Sequence, residues 1–302
     1  MTVAITGATG FLGQAVLDEA ACAGLTVRAL TRRQQLPRPG VEWIAGNLAD
    51  TAALARLVQG AQAVLHIAGV VNAPDPHGFV EGNVHGTERI VAAACKGSVG
   101  RFVLVSSLAA REPDLSDYGR SKWESERIVE ASGLDWTIVR PPAVYGPRDT
   151  EMLSLFRSAK WGIVPRPPAG RASFIHVEDL ARLLLAMLPG GAEVSGGLFE
   201  PDDGKEGGWR HADFAHAIGD AVGRRVLSPA MPRRLLGAAA RLDRLLRGDR
   251  AKLTPDRARY MVHPDWMSAP SRRVPESLWA PRIATPDGVR RTADWYREQG
   301  WL

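Results

Sequence analysis

Residues 2–13 read Thr-Val-Ala-Ile-Thr-Gly-Ala-Thr-Gly-Phe-Leu-Gly. A short apolar, β-branched run ends at Thr6. Glycines follow at positions 7, 10 and 13, and a helical pattern opens at Phe11. Each glycine has a physical use in a strand–turn–helix junction. Gly7 permits the tight turn, Gly10 lets the backbone approach a ligand, and Gly13 allows the helix to lie close on the strand. The first turn of the helix leaves N–H groups free at its positive end, which suits a pyrophosphate. Thr9, Phe11 and Leu12 line the same turn. The stretch predicts a dinucleotide seated on the first helix of a doubly wound, Rossmann-type α/β domain.

The sequence beyond it keeps that rhythm. Apolar runs at 25–31, 41–44, 62–67, 102–106 and 136–139 alternate with helical patterns near 51–58, 83–96 and 118–132. Strands separated by helices of this length imply parallel βαβ units with right-handed crossovers. After about residue 147 the rhythm changes, and Pro and Gly become frequent. Helical patterns return at 178–188, 211–222 and 233–247. The expected organisation is a dinucleotide-binding domain over 1–147, rejoined by a strand and helix around 172–188. A smaller mixed region over 148–302 is expected to hold the substrate.

Bulk composition fits an ordinary globular chain: 302 residues, 45% hydrophobic and 24% charged. No stretch approaches the roughly 18 apolar residues of a membrane span, and no signal peptide is visible, so a cytoplasmic location is expected. Cys22 and Cys95 make no metal-ligand spacing, and both read as core packing. From Lys205 onward basic residues outnumber acidic ones by 19 to 11, whereas the preceding part has a slight acidic excess. A basic C-terminal third suits an anionic substrate, an acidic surface or nucleic acid, or forms a solvated face of arginines; no nucleic-acid partner is expected.

The end of the second strand bears on cofactor choice. An acidic residue there accepts hydrogen bonds from a ribose 2′-OH. Here the segment is Ala29-Leu30-Thr31-Arg32-Arg33. Arg32 and Arg33 stand where a 2′-phosphate would lie, and guanidinium suits bidentate phosphate contact. NADP is therefore expected, with NAD the alternative.

Tyr118-Gly-Arg-Ser-Lys122 is a Tyr-x-x-x-Lys motif eleven residues after Ser107 in Val-Ser-Ser. With the Thr-Gly-x-x-Gly-x-x-Gly turn, this resembles the short-chain dehydrogenase/reductase superfamily, and within it the extended NAD(P)-dependent epimerase/dehydratase branch. His66-Ile-Ala-Gly, Asn83-Val-His-Gly-Thr87, Arg140-Pro-Pro-Ala-Val-Tyr-Gly-Pro147 and Phe174-Ile-His-Val-Glu-Asp179 resemble further segments of that branch, in its order. The residue types explain the chemistry that the resemblance implies. Positions four apart put Tyr118 and Lys122 on one helix face. An ammonium beside the phenol lowers its pKa toward working pH. Tyr118 then exchanges a proton with a substrate oxygen, and Ser107 orients that oxygen. The resemblance further implies that Asn47 and Leu48 flank the adenine, although many relatives have Asp-Leu there. It places Ala68 and Gly69 along the ribose and nicotinamide, and Pro141, Ala143 and Val144 over the nicotinamide. His66 and His176 are read as structural.

One departure concerns the substrate. Members acting on nucleotide sugars often carry Asn where this chain has Ala143. The Pro-rich version is similar to relatives of the dihydroflavonol reductase and 3β-hydroxysteroid dehydrogenase types. The resemblance therefore implies an NADP-dependent oxidoreductase interconverting a ketone or aldehyde and a secondary alcohol on a hydrophobic small-molecule substrate. A nucleotide-sugar epimerase or dehydratase, and a non-catalytic dinucleotide-binding subunit or assembly factor, are the alternatives. No metal site is expected, and a homodimer is compatible with the family. The basic amphipathic segment 233–247 either covers the substrate cleft, touches an anionic membrane, or packs its apolar residues on the core. Trp295, Tyr296 and Trp301 are expected to dock on the body.

Overall fold

A computed structural model of the chain describes residues 1–248, 251 and 253–302. In chain order the elements are β1 (Thr2–Thr6), α1 (Phe11–Cys22), β2 (Thr26–Thr31), β3 (Val41–Ala45), α2 (Thr51–Val58), β4 (Ala63–His66), α3 (Pro76–Phe79), α4 (Gly86–Lys96), β5 (Arg101–Val105), α5 (Asp117–Glu130) and β6 (Asp135–Val139). There follow β7 (Ala143–Tyr145), α6 (Leu153–Ala159), β8 (Arg171–Ala172), β9 (Phe174–His176), α7 (Val177–Ala186), β10 (Gly197–Phe199), β11 (Trp209–Arg210), α8 (His211–Val222), α9 (Arg233–Arg247), α10 (Pro255–Met261), β12 (Asp265–Trp266) and α11 (Thr285–Glu298). Two compact units result. One comprises Met1–Arg140, Leu180–Glu200 and Val274–Trp279; the other comprises Pro141–Asp179, Pro201–Arg273 and Ala280–Leu302.

The first unit is built on a seven-stranded sheet ordered β10-β6-β5-β4-β1-β2-β3, and every neighbouring pair is parallel. This is the expected Rossmann-type fold. Val3 to Ile5, Ala63 to Leu65 and Phe102 to Leu104 are almost wholly buried, as parallel strands covered on both faces require. On one side Leu54, Leu57, Ile90, Ala94, Phe102 and Ile138 form a continuous core. The strand order reverses between β1 and β4, and open α/β sheets bind ligands at such a crevice. Pro141 and Pro142 lack the N–H groups that a sheet ladder needs, and the chain leaves the unit there.

The second unit packs around aromatic side chains. Phe174 and Phe214 stack at 3.7 Å between centroids, and Tyr145 meets both rings edge-on. The aromatic tail belongs to this core. Tyr296 is fully buried and donates to the Asp149 carbonyl at 2.6 Å, and the Trp301 carbonyl accepts from Arg157 at 2.9 Å. The sheets here are short: β11-β8-β12 and the parallel pair β7-β9.

Three expectations need correction. The helix placed at 83–96 begins earlier. Asp75 caps α3 by accepting from Gly78 N–H, Pro76 occupies its first turn, and a π-helical turn (Val80–His85) joins α3 to α4. Cys22 and Cys95 are exposed rather than core residues. Ala15, Val16, Leu17 and Ala20 of α1 and Ile90, Val91 and Ala94 of α4 fill the inward faces instead. The leucines of α9 mostly face outward, as described below.

Among the glycines of the described residues, Gly13 is the one where a Cβ would meet backbone most closely. A Cβ there would fall onto the Gly7 carbonyl oxygen and lie 2.6 Å from Ala8 Cα. Gly13→Ala should therefore cost about 3 kcal/mol in urea unfolding. Gly24→Ala, at φ +65° with open space around it, should cost only about 1–2 kcal/mol. Equal losses would contradict this packing.

Candidate active site

The glycine turn lies at the carboxyl end of β1. Gly7 has φ +78°, and a Cβ on it would sit 2.6 Å from the Ala68 nitrogen that follows β4. Gly10 caps α1 with no side chain across the helix end. The first N–H groups of the helix, at Phe11 and Leu12, have no acceptor within it. Gly10 and Thr9 are exposed there. A concave backbone surface that any Cβ would fill, ending in free N–H donors, fits the pyrophosphate of a dinucleotide.

Buried polar side chains fix this junction. His66 Nδ1 lies 2.6 Å from Thr6 Oγ1, and its Nε2 lies 3.1 Å from Thr87 Oγ1. Thr6 Oγ1 also accepts from Ala68 N–H at 3.3 Å. Burial, reinforced by the Lys122 charge, pushes the His66 imidazole down to about 3, so it is neutral and serves as a strut.

At the end of β2, Thr31 Oγ1 hydrogen-bonds both backbone groups of Arg33. Arg32 and Arg33 are exposed, and no hydrogen bond or ion pair holds either guanidinium among the described residues. Asn47 Oδ1 accepts from Ala49 N–H at 2.7 Å. Leu48 leans on the core, where a Cβ on Gly86 would lie 2.8 Å from its Cδ1.

The Ser, Tyr and Lys positions converge at the end of β5. Ser107 follows that strand and accepts from Ala109 N–H at 3.2 Å, starting a 3-10 turn over Leu108–Arg111. Tyr118 and Lys122 are one turn apart on α5, and both are buried. Lys122 Nζ donates to the Val105 carbonyl at 2.8 Å, two residues before Ser107. Burial pushes the Lys122 ammonium down to about 8, against the raising effect of nearby Glu126. The Tyr118 ring lies 6.0 Å from that of Phe79. Gly69 closes the other side, since a Cβ on it would lie 3.4 Å from Lys122 Nζ.

Two supporting groups were not singled out from the sequence as site residues. Asn83, inside the π-helical turn, accepts from Val70 N–H at 2.6 Å and donates to the Val70 carbonyl and to Ser121 Oγ, both at 2.9 Å. It pins the loop after β4 to α5. Glu126, four residues after Lys122, accepts from Arg140 at 2.8 and 2.6 Å and from Ser106 Oγ. Glu200 lies 3.6 Å from Arg140 and 3.8 Å from Arg111, completing a balanced set of four charges. The spacing of Glu126 from Lys122 was the available signal. Its partners Arg140 and Glu200 are remote in sequence and gave none.

Pro141, Ala143 and Val144 belong to the second unit, where Ala143 and Val144 pair with Phe174 and Ile175. Their relation to a cofactor remains what the resemblance implies. His176, in the same unit, is buried with its imidazole pushed down to about 4 by burial.

The glycine turn thus follows β1 at the strand-order reversal, and the buried Tyr118 and Lys122 lie at the end of β5, on the far side of β4. The model of the NAD-dependent epimerase/dehydratase family matches residues 3–199, and the chain belongs to that family, within the extended short-chain dehydrogenase/reductases. It is an NAD(P)-dependent oxidoreductase. A ceramide reductase of Caulobacter vibrioides is 37% identical over 99% of this chain and 96% of its own. A 2-alkyl-3-oxoalkanoate reductase of Stenotrophomonas maltophilia is 27% identical over 96% of this chain and 98% of its own. The solved structure of MoeE5 in complex with UDP-glucuronic acid and NAD has a TM-score of 0.77, covering 99% of both chains at 21% identity, a likeness of fold.

Proposed function

We propose that the chain is an NADPH-dependent reductase of a ketone on a hydrophobic, long-chain substrate of the ceramide type. The observation that carries the chemistry is the anchoring of Lys122 to the Val105 carbonyl. It keeps an ammonium beneath the strand end that presents Ser107, one turn from Tyr118. When bound, the reduced nicotinamide supplies the hydride to the carbonyl carbon. Tyr118 Oη gives its proton to the carbonyl oxygen, leaving a phenolate that the Lys122 ammonium stabilises. Ser107 Oγ accepts from Ala109 N–H, which leaves its own O–H to donate to the same carbonyl oxygen. The products are a secondary alcohol and the oxidised cofactor.

Substrate class rests on two supports. The reductase-named relatives that span nearly the whole chain carry ceramide and 2-alkyl-3-oxoalkanoate in their names. Ala143 also lacks the amide that nucleotide-sugar enzymes often present at that position. Preference for the 2′-phosphate rests on Arg32 and Arg33, exposed at the end of β2.

Tyr118→Phe should lower kcat by at least about 100-fold in NADPH-dependent reduction of a long-chain keto-amide, with NADPH affinity within about twofold of wild type. Retained turnover would exclude the proton-transfer role. Turnover or thermal stabilisation confined to UDP- or dTDP-sugars in a mixed panel would exclude the lipid substrate.

Arg32→Asp should weaken NADPH binding by roughly 10- to 100-fold, the worth of a charge-assisted contact. NADH binding should change little. Equal loss of both cofactors in fluorescence titration would exclude a 2′-phosphate contact.

A further inference from the structure

Four of the five leucines of α9 do not face the protein. Leu236 and Ala240 point inward and are buried, and Asp243 accepts from Leu253 N–H on the same side. Leu235, Leu242, Leu245 and Leu246 lie on the opposite side, with Leu245 82% and Leu246 74% exposed. Positions i, i+7, i+10 and i+11 form one continuous stripe on a helix. At 15 residues the stripe runs along roughly 22 Å. Arg234 and Arg241, seven apart, follow one margin of it, and Arg233 and Arg244 lie beyond them. All four are exposed and without an ion-pair partner among the described residues.

A second exposed apolar group lies just before the helix. Leu227 pairs with the 162–166 segment, its N–H donating to the Gly162 carbonyl and its carbonyl accepting from Val164. Trp161 (86% exposed), Ile163 and Leu227 project there, with Lys160, Arg224 and Arg225 exposed beside them. Leu227 is six residues from the start of α9, hence within about 20 Å of it.

We propose that α9 is a membrane-docking helix. Its leucine stripe enters the headgroup boundary of an anionic bilayer, its arginines contact lipid phosphates, and Trp161 and Leu227 extend the contact. The pairing of an exposed leucine face with a basic margin, and of an exposed tryptophan with flanking cations, matches an anionic lipid surface on both counts. Other occupants match only one. Nucleic acid would take the arginines and leave the leucines in water. A second copy on a two-fold axis would oppose the same five arginines, against one aspartate per helix, to themselves. The docking surface is independent of the roles of Ser107, Tyr118 and Lys122, and it goes beyond the reductase reading by placing the enzyme where a lipid ketone resides.

The test uses the full chain and vesicles of phosphatidylcholine with and without phosphatidylglycerol. The chain should sediment with the anionic vesicles and not with pure phosphatidylcholine, and added salt should release it. The triple variant Leu242→Ser/Leu245→Ser/Leu246→Ser, and separately Arg234→Glu/Arg241→Glu, should each weaken partitioning by about tenfold or more. Both should keep the wild-type melting temperature and NADPH affinity, since these side chains face solvent. Brominated lipid should quench the fluorescence of the wild-type chain, and less so in Trp161→Phe, which gives a readout independent of the variants' folding. Absence of binding to anionic vesicles would overturn the proposal. So would binding unchanged in both variants, or a leucine variant whose only effect is to turn a dimer into a monomer.

Discussion

A single hydrogen bond, from Lys122 Nζ to the Val105 carbonyl, sets the geometry on which the site depends. A buried ammonium is costly unless its donors are satisfied, and the last carbonyl of β5 satisfies one of them. Four residues on, Glu126 receives Ser106 Oγ, from the residue that follows Val105. Helix α5 is thus bolted to one strand end at two points a turn apart, and Tyr118 and Ser107 follow from that docking. The inward face of α5 is accordingly polar: Ser121, Lys122, Ser125 and Glu126 are all buried. Ser121 and Ser125 carry the connection on to Asn83 and the loop after β4.

This arrangement trades stability for chemistry. An unfolded lysine keeps its proton to about 10.5, whereas the folded one releases it near 8. Between those values the unfolded chain binds the extra proton, so the folded state gains stability as pH rises. Below about 8 the charge is held at a cost, and that charged form is the one the proposed proton transfer from Tyr118 requires. Arg140, which follows β6, holds Glu126 with Glu200 alongside, so the carboxylate that receives Ser106 Oγ sits among charges that cancel locally.

The sequence made the first unit largely legible. Its parallel strands are buried on both faces and read as apolar runs, and the glycines at 7, 10 and 13 mark a junction with few solutions. Ser107, Tyr118 and Lys122 were read from the resemblance to the family's motif; the helical period explains only why Tyr118 and Lys122 share one face of α5. Long-range polar pairing was not legible. Nothing near Arg140 announces Glu126 or Glu200, and the π-helical turn that aims Asn83 looks like ordinary helix. Strands of two or three residues such as β8, β11 and β12 are too short to show a period. Helix α9 was found by its amphipathic pattern, but a pattern gives the existence of an apolar face and not its direction. Inward-facing leucines were one reading; the structure buries Leu236 with Ala240 and turns Leu235, Leu242, Leu245 and Leu246 to solvent.

Chemistry and surface therefore draw on different parts of the chain. The first unit holds the cofactor turn and the Ser–Tyr–Lys cluster. The second contributes an aromatic core and a basic, leucine-faced helix. The proposed reductase of a lipid ketone has use for both.

The most direct test of the site is the titration of Lys122, followed by NMR of the folded chain carrying 13C-labelled lysine and assigned with Lys122→Met. A resonance that titrates near pH 8, together with NADPH-dependent reduction that falls as pH rises through the same value, is the predicted result. A Lys122 that titrates near the ordinary lysine value of about 10.4 would contradict the buried, strand-anchored ammonium on which the account rests.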